Sequence, residues 1–380
     1  MKRFSFTFWE AVGIIGGMII GSGMFALPYG VSVSGLWWSV AAAAAAFFAV
    51  LSIHLAYGEV VAHTKEEHRL PGYAALYLGR WAGYFGKITQ LLGFNTGLLV
   101  YGILGGIFLS TIFGGSATAW SIIFFVVGSG VVLFADIKKI GTINFLLSIP
   151  LVAAIVWISF LGFGKGDVAQ ISFASSDPFF VFGIFVFSLT GLSVIADARD
   201  VFKSESKTGP LKRAIMVGTT IPLFVYILFI VSVLMVSGTG VTEDALSGMA
   251  AVLGRGVIII GAVIGILATF TSYIALGYDL KEIYALDLNM GRFWSGLLSV
   301  AVPIFLFLFV AEDFVKLISI MGGMFVAFDG LLVIGMLRAL RAKIPAPHAM
   351  RFLPFNAPHQ AVLVVIFVLS IVYEVVYQIL

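Results

Sequence analysis

The feature that most constrains this chain is a recurring apolar run of about 20 residues or more, the length a helix needs to cross the roughly 30 Å hydrocarbon core of a bilayer. Hydrocarbon offers no water to a peptide group, so a spanning segment must satisfy its own backbone as a helix or a closed barrel. Barrel strands are about 10 residues long and alternate in polarity. These runs do neither, so they read as helices. The chain is 61% hydrophobic and only 11% charged, with a mean hydropathy of +1.10. Soluble domains carry about a quarter charged residues, and a water-facing surface cannot be built from less than half of that. The absence of cysteine removes a disulfide framework, a thiolate metal site and a cysteine nucleophile. Lys2-Arg3 ahead of an apolar stretch has the outline of a signal peptide, but the stretch runs on to Pro28 without a small-residue cleavage site, and more apolar runs follow.

Eleven spans are expected: Phe8–Val31, Leu36–Val61, Tyr84–Phe113, Ala119–Ala135, Ile140–Phe163, Phe179–Val201, Ala214–Ser237, Val257–Leu280, Phe293–Ala311, Phe314–Leu337 and Ala361–Ile379. With the N-terminus in the cytoplasm, nineteen of the 22 Lys and Arg residues fall on the cytoplasmic side. Among them are Lys2, Arg3, Lys138, Lys139, Lys203 and Lys207, and only Lys165, Arg255 and Lys316 fall outside. That asymmetry follows the positive-inside rule, puts the C-terminus outside, and explains the basic pI without any nucleic acid. Residues 338–358, with four prolines and four basic residues, read as a cytoplasmic linker. The run Ala41 to Ala46 reads as a close helix-packing face.

Span one reads GIIGGMIIGSGMFALP. Gly13 and Gly17 suit small-residue packing on one helix face. Gly21-Ser22-Gly23 does not: poor helix formers near mid-membrane imply irregular backbone, which is tolerated there only where it lines a cavity. Such a break frees amides, and the half-helix after it points its positive end at the gap, a combination that suits a carboxylate. A nucleotide loop is excluded, since no strand precedes the motif and no Walker lysine follows it. In span six, Ser188-Leu189-Thr190-Gly191 interrupts the apolar run, although hydroxyls bonded to their own helix are an alternative reading. Spans one and six are five helices apart, so the second set of five is inverted relative to the first. Paired interruptions at matching places in inverted halves are the best sequence pointer to a transporter's binding site.

IIGSGMFALP in span one, the broken span six and FTSYIALGYDLKEIY in span eight resemble the amino-acid permeases, above all the aromatic amino-acid permease and amino acid/auxin permease branch. The resemblance implies an all-α, LeuT-type fold with 1–163 as the first five-helix repeat, 164–337 as the second, inverted one, and 359–380 as an extra helix. It implies a secondary active transporter of a neutral or aromatic amino acid, in the plasma membrane. The amides of Gly21, Ser22 and Gly23 would take the substrate carboxylate. Carbonyls around Phe187, Ser188 and Thr190, with Gly191 at the break, would take its ammonium. The family often continues span six with a proline and a glutamate; here Ile195-Ala196-Asp197 stands nearby. Asn95 in span three is a further substrate candidate, or an interhelical hydrogen bond.

By the same resemblance, a sodium site would use the carbonyls of Gly17, Ile20 and Ala268 and the hydroxyls of Thr271 and Ser272. Five uncharged oxygens suit a monovalent cation better than a divalent one. The alternative is that these hydroxyls bond their own helix. Some relatives carry a span-five lysine in place of sodium, and span five here has no ionisable residue, which favours sodium. A proton-coupled version would need a titratable group at depth, and His54 and Asp329 are the candidates. Glu59 and Asp279 lie near cytoplasmic ends, where solvation is expected, and Glu374 lies near the outer end of the last span, outside both repeats. No cofactor is implied beyond a coupling cation, and the partners are a small amino acid and the lipid bilayer. A membrane enzyme lacks any supporting motif, such as HExxH. A non-transporting sensor of amino acid is the competing class.

Overall fold

The computed structural model describes residues 6–66, 68–134, 140–202, 208–309, 313–343 and 351–380, and, within these, not the side chains of Phe6, 140–148 and 286–287. Lys2, Arg3, Lys138, Lys139, Lys203 and Lys207 lie outside the described residues. Among the described residues sixteen α-helices follow in order: α1 Phe6–Ile19, α2 Gly23–Ser34, α3 Leu36–His63, α4 Leu70–Leu78, α5 Arg80–Phe113, α6 Ala117–Phe134, α7 Ile140–Lys165, α8 Phe180–Leu189, α9 Ile195–Asp200, α10 Thr208–Ser237, α11 Ala250–Leu253, α12 Arg255–Glu282, α13 Arg292–Phe309, α14 Phe314–Ile320, α15 Ala327–Lys343 and α16 Ala357–Tyr373.

Each expected span coincides with a helix or a helix pair. Among the described residues nine helical segments are long and apolar enough to cross a membrane, and α1 with α2, bent by 52° at their break, makes a tenth. Large apolar side chains stand bare on the outer faces, including Trp37, Phe134, Phe305 and Phe309. That pattern is stable only where lipid replaces water.

Several expectations change. In the packing of α1 against α10, Gly16 faces the Gly218 carbonyl, and Gly13 and Gly17 are half-buried. The alanine run packs on one side only: Ala46 is buried and Ala42 and Ala43 are partly buried against the core, while Ala41 and Ala44 are exposed. The segment before span three holds a helix, α4, set off from α5 by Gly79 at φ 93, a value that favours glycine. Span ten is α14 and α15 joined by a π-helical turn, Met321–Val326, and its helix continues to Lys343, so Arg338 and Arg341 belong to it and not to the linker.

Glu59, expected to be solvated, is 1% exposed. Arg341 grips it with two bonds of 2.7 and 2.8 Å, and the Phe352 amide donates to it at 2.7 Å. A buried carboxylate must be paired and fully bonded to be tolerated. Here the pair fastens the segment after 350 to α3 and α15. This end of the bundle also holds Arg69, Arg199, Lys212 and Lys281, each bonded to a neighbouring element, and is called the basic end below.

Candidate functional site

The two expected breaks are present and face each other. In the first, Ile20 to Ser22 separate α1 from α2. The Gly21 amide donates to the Ile19 carbonyl at 2.8 Å, so this amide, expected to be open for a carboxylate, is already bonded. The start of α2 at Gly23 supplies amides without intrahelical acceptors and the positive end of a helix dipole. In the second break, Thr190 is extended, with φ −78 and ψ 139, and Leu192–Val194 form a tight turn before α9. Gly23 lets the breaks meet: a Cβ there would lie 2.6 Å from Ser188 Oγ and 2.9 Å from the Phe187 ring.

Between the breaks lies a chamber lined by Gly21, Ser22, Gly23, Phe187, Ser188, Thr190 and Gly191. Three of its hydroxyls, on Ser22, Ser188 and Thr190, are buried with no hydrogen-bond partner among the described residues. Buried polar groups are nearly always bonded, and each exception calls for an explanation. A bound ligand is the simplest one. Asn95 does not line the chamber; its amide donates to Leu91 of its own helix at 2.6 Å. The remaining wall is mixed: Met18, Phe94, Tyr101, Met321 and Phe325 give it an apolar and aromatic side, and Thr89, Gln90, Ser193 and Asp329 a polar one. Uniformly apolar helices gave no periodicity to reveal which faces turn inward.

Side chains from distant helices hold the second break. The Gly191 amide donates to His54 Nε2 at 3.0 Å, and His54 Nδ1 lies 2.9 Å from Thr219 Oγ1. Since Nε2 accepts, the proton of the neutral ring sits on Nδ1. His54, taken as a proton-carrier candidate, is therefore a brace whose protonation would break its bond to Gly191. The Tyr226 hydroxyl reaches Ser188 O at 2.9 Å and Ile19 O at 2.5 Å, touching both breaks. With Thr190 N on Phe187 O at 3.2 Å, two of the carbonyls expected for the ammonium already have a donor, and each keeps one lone pair free.

On the side of the chamber toward the basic end, Arg69 ties three elements together. Its guanidinium lies 3.3 Å from Asp279, 3.5 Å from Asp197 and 3.3 Å from the Ser193 carbonyl. Asp279, and then Asp197, hold the Arg69 pKa above its ordinary value despite burial. Asp279, expected to be solvated, is 9% exposed and paired.

The pattern of the tryptophan/tyrosine permease family matches residues 5–376. The chain belongs to that family. The permease is thus a multi-pass membrane transporter and not an enzyme. Its fold is LeuT-type. The structure of "MhsT in complex with L-phenylalanine" superposes with a TM-score of 0.68 at 13% identity, covering 95% of this chain and 98% of that one. The structure of Mhp1, a nucleobase-cation-symport-1 family transporter in a closed conformation with bromovinylhydantoin bound, gives 0.63 at 14%, covering 94% and 96%. A comparison with curated protein sequences finds no match.

In the permease the five expected sodium ligands are treated unequally. Ser272 is buried, and its Oγ would lie 3.1 Å from a Cβ at Gly21, so span eight does face the first break. The Thr271 hydroxyl instead lies 2.9 and 3.0 Å from the carbonyls of Leu267 and Ala268 in its own helix, the alternative reading of that motif. Ala268 is buried and Gly17 half-buried, and Ile20 sits in the first break. Asp329 lines the chamber with Thr89 Oγ1 3.1 Å away, which puts a carboxyl in its wall.

Proposed function

We propose that this permease imports an aromatic amino acid across the plasma membrane by alternating access, drawing on a cation gradient. In this reading the basic end and the N-terminus face the cytoplasm and the C-terminus lies outside, as the Lys and Arg asymmetry supports. The observation that carries the reading is the set of three unpartnered hydroxyls where the two breaks meet. The substrate carboxylate sits at the start of α2, its ammonium among Ser188, Thr190 and Asp329, and its ring against Phe94, Phe187 and Phe325. The bundle containing spans one, two, six and seven rocks against the rest, and the Arg69 cluster must part for release inward.

Sodium is one coupling ion, held by Gly17, Ile20, Ala268, Thr271 and Ser272; the contact of Ser272 with the first break favours it. A proton is the second, and the carboxyl of Asp329 in the chamber favours that. Proteoliposomes would be given labelled tryptophan, tyrosine, phenylalanine and leucine under an inward sodium gradient, then under an inward proton gradient without sodium. Accumulation of the aromatic three above leucine supports the substrate class. A sodium requirement that Ser272→Ala removes supports the sodium site. Sodium-independent accumulation lost in Asp329→Asn, with tryptophan binding retained, supports the proton. Binding without accumulation under either gradient would overturn transport in favour of a sensor.

A further inference from the structure

By sequence position Glu374 belongs near the outer end of the last span, outside both repeats. The structure buries it completely. It stands where α16 passes into a π-helical turn, Glu374–Ile379, and its carboxyl enters a gap between α8 and span ten. Two glycines make that gap. A Cβ at Gly183 would lie 2.7 Å from Glu374 Oε1, and one at Gly323 would lie 2.6 Å from Glu374 Cγ. Beside it the backbones of α8 and the span-ten turn touch directly, since a Cβ at Gly322 would collide with the Gly183 carbonyl.

The hydrogen bonds around the carboxyl favour a proton on it. Ser319 Oγ lies 2.8 Å from Glu374 Oε1 and 3.2 Å from the Phe180 carbonyl. A serine hydroxyl has one hydrogen, and a carbonyl can only accept. If Glu374 is ionised, that hydrogen goes to the carboxylate, and Phe180 O is left with only the amide donor of its own helix. If Glu374 carries the proton, it donates to Ser319, Ser319 donates to Phe180 O, and both contacts are satisfied. The second oxygen, Oε2, is buried with no partner among the described residues. A bare neutral oxygen there costs far less than half of a buried negative charge.

The charged surroundings agree. Among the described residues no cation pairs with Glu374. The segment from 313 carries Asp313 and Lys316, both exposed, and α8 has no titratable side chain. On its own helix the neighbouring Tyr373 hydroxyl donates to Asp177 at 2.6 Å, which fixes a second acid close by.

We propose that Glu374 is a proton-binding site built into the seam between the first half of broken span six and span ten, loaded when the seam is closed and emptied when it parts. The ligand is a single proton drawn from water at the end opposite the basic one. Phe187 on α8, whose backbone meets Gly322 at this seam, also lines the chamber, as do Met321 and Phe325 on the same span-ten turn, so parting the seam alters both. The link to uptake rests on the transport proposed above; the proton itself does not.

The test has two readouts on full-length protein. Infrared difference spectra at neutral pH should show a protonated-carboxyl stretching band in the wild type that is absent in Glu374→Gln. The band should persist but shift in Ser319→Ala, where the acceptor of its hydrogen bond is gone. Tryptophan uptake at a clamped membrane potential should fall with rising external pH in the wild type, approaching about tenfold per unit once ionisation dominates, and be flat in Glu374→Gln. No such band in the wild type, or a band unmoved by both substitutions, overturns the proposal. A band assigned to Glu374 with no uptake in any variant upholds the proton site and sinks the transport reading instead.

Discussion

The two breaks are alike in sequence and unlike in structure. The first, Ile20 to Ser22, is closed mainly by its own neighbourhood: Ile20 N bonds Gly16 O and Gly21 N bonds Ile19 O, both at 2.8 Å, with Tyr226 alone reaching Ile19 O from another helix among the bonds described. The second is held from outside, with His54 on the Gly191 amide, Tyr226 on the Ser188 carbonyl and Arg69 on the Ser193 carbonyl. A break satisfied by local backbone keeps its shape as it moves. One braced by three other elements changes when any of them moves, and it is the natural place for opening to be sensed. The first break then serves mainly to present the start of α2 to a carboxylate, and the second to couple the chamber to the bundle.

The largest effect is expected where the two breaks touch. Gly23→Val puts a branched side chain where even a Cβ meets Ser188 Oγ at 2.6 Å. Overpacking of this kind costs about 1–3 kcal/mol, and here it falls on the contact that shapes the chamber. Tryptophan binding by calorimetry should weaken by roughly tenfold or more, with the helical circular dichroism retained. Wild-type affinity in Gly23→Val would mean that the breaks do not jointly form the site.

The contrast between the breaks also explains what was legible in the sequence. Gly21-Ser22-Gly23 announces itself because a glycine-rich, locally satisfied break must be written in its own residues. Ser188-Leu189-Thr190-Gly191 gave the position of the second break but not its braces, because His54, Arg69 and Tyr226 lie 137, 124 and 38 residues away from the groups they hold. Seven of the eight substrate candidates line the chamber, all from the breaks; Asn95, chosen for depth alone, does not. Depth along a helix can be counted from sequence, whereas rotation about its axis needs an amphipathic pattern that these spans lack. The same gap hid the burial of Glu59, Asp279 and Glu374, since a helix end near a membrane surface is solvated only if no other segment covers it.

A second, smaller effect tests whether the braces of span six matter. His54→Phe removes the acceptor of the Gly191 amide and leaves a buried N–H unpaired, at about 1–3 kcal/mol. The melting temperature in detergent should fall, and uptake should fall with it. His54→Gln, whose carbonyl can still accept, should recover part of both. Equal loss in the two variants would make His54 a packing residue and erase the distinction between the breaks.

The smallest effect is the most discriminating, because the Tyr226 hydroxyl contacts both breaks. Tyr226→Phe keeps the ring in its buried place and removes only the oxygen. Ile19 O retains its bond from Gly21, so the first break loses a second donor and little else. Ser188 O loses the donor that Tyr226 supplies, next to an unpartnered Ser188 hydroxyl that lines the chamber. An under-satisfied carbonyl is tolerated better than an orphaned amide, so the expected change is about 1 kcal/mol, a few-fold in the apparent affinity for tryptophan, with stability nearly unchanged. The sign depends on what the freed carbonyl does. If it turns to the substrate ammonium, affinity rises, and the hydroxyl competes with substrate for Ser188. If affinity falls, Tyr226 holds Ser188 in the position that substrate needs, and the second break is pre-formed by its braces before anything binds.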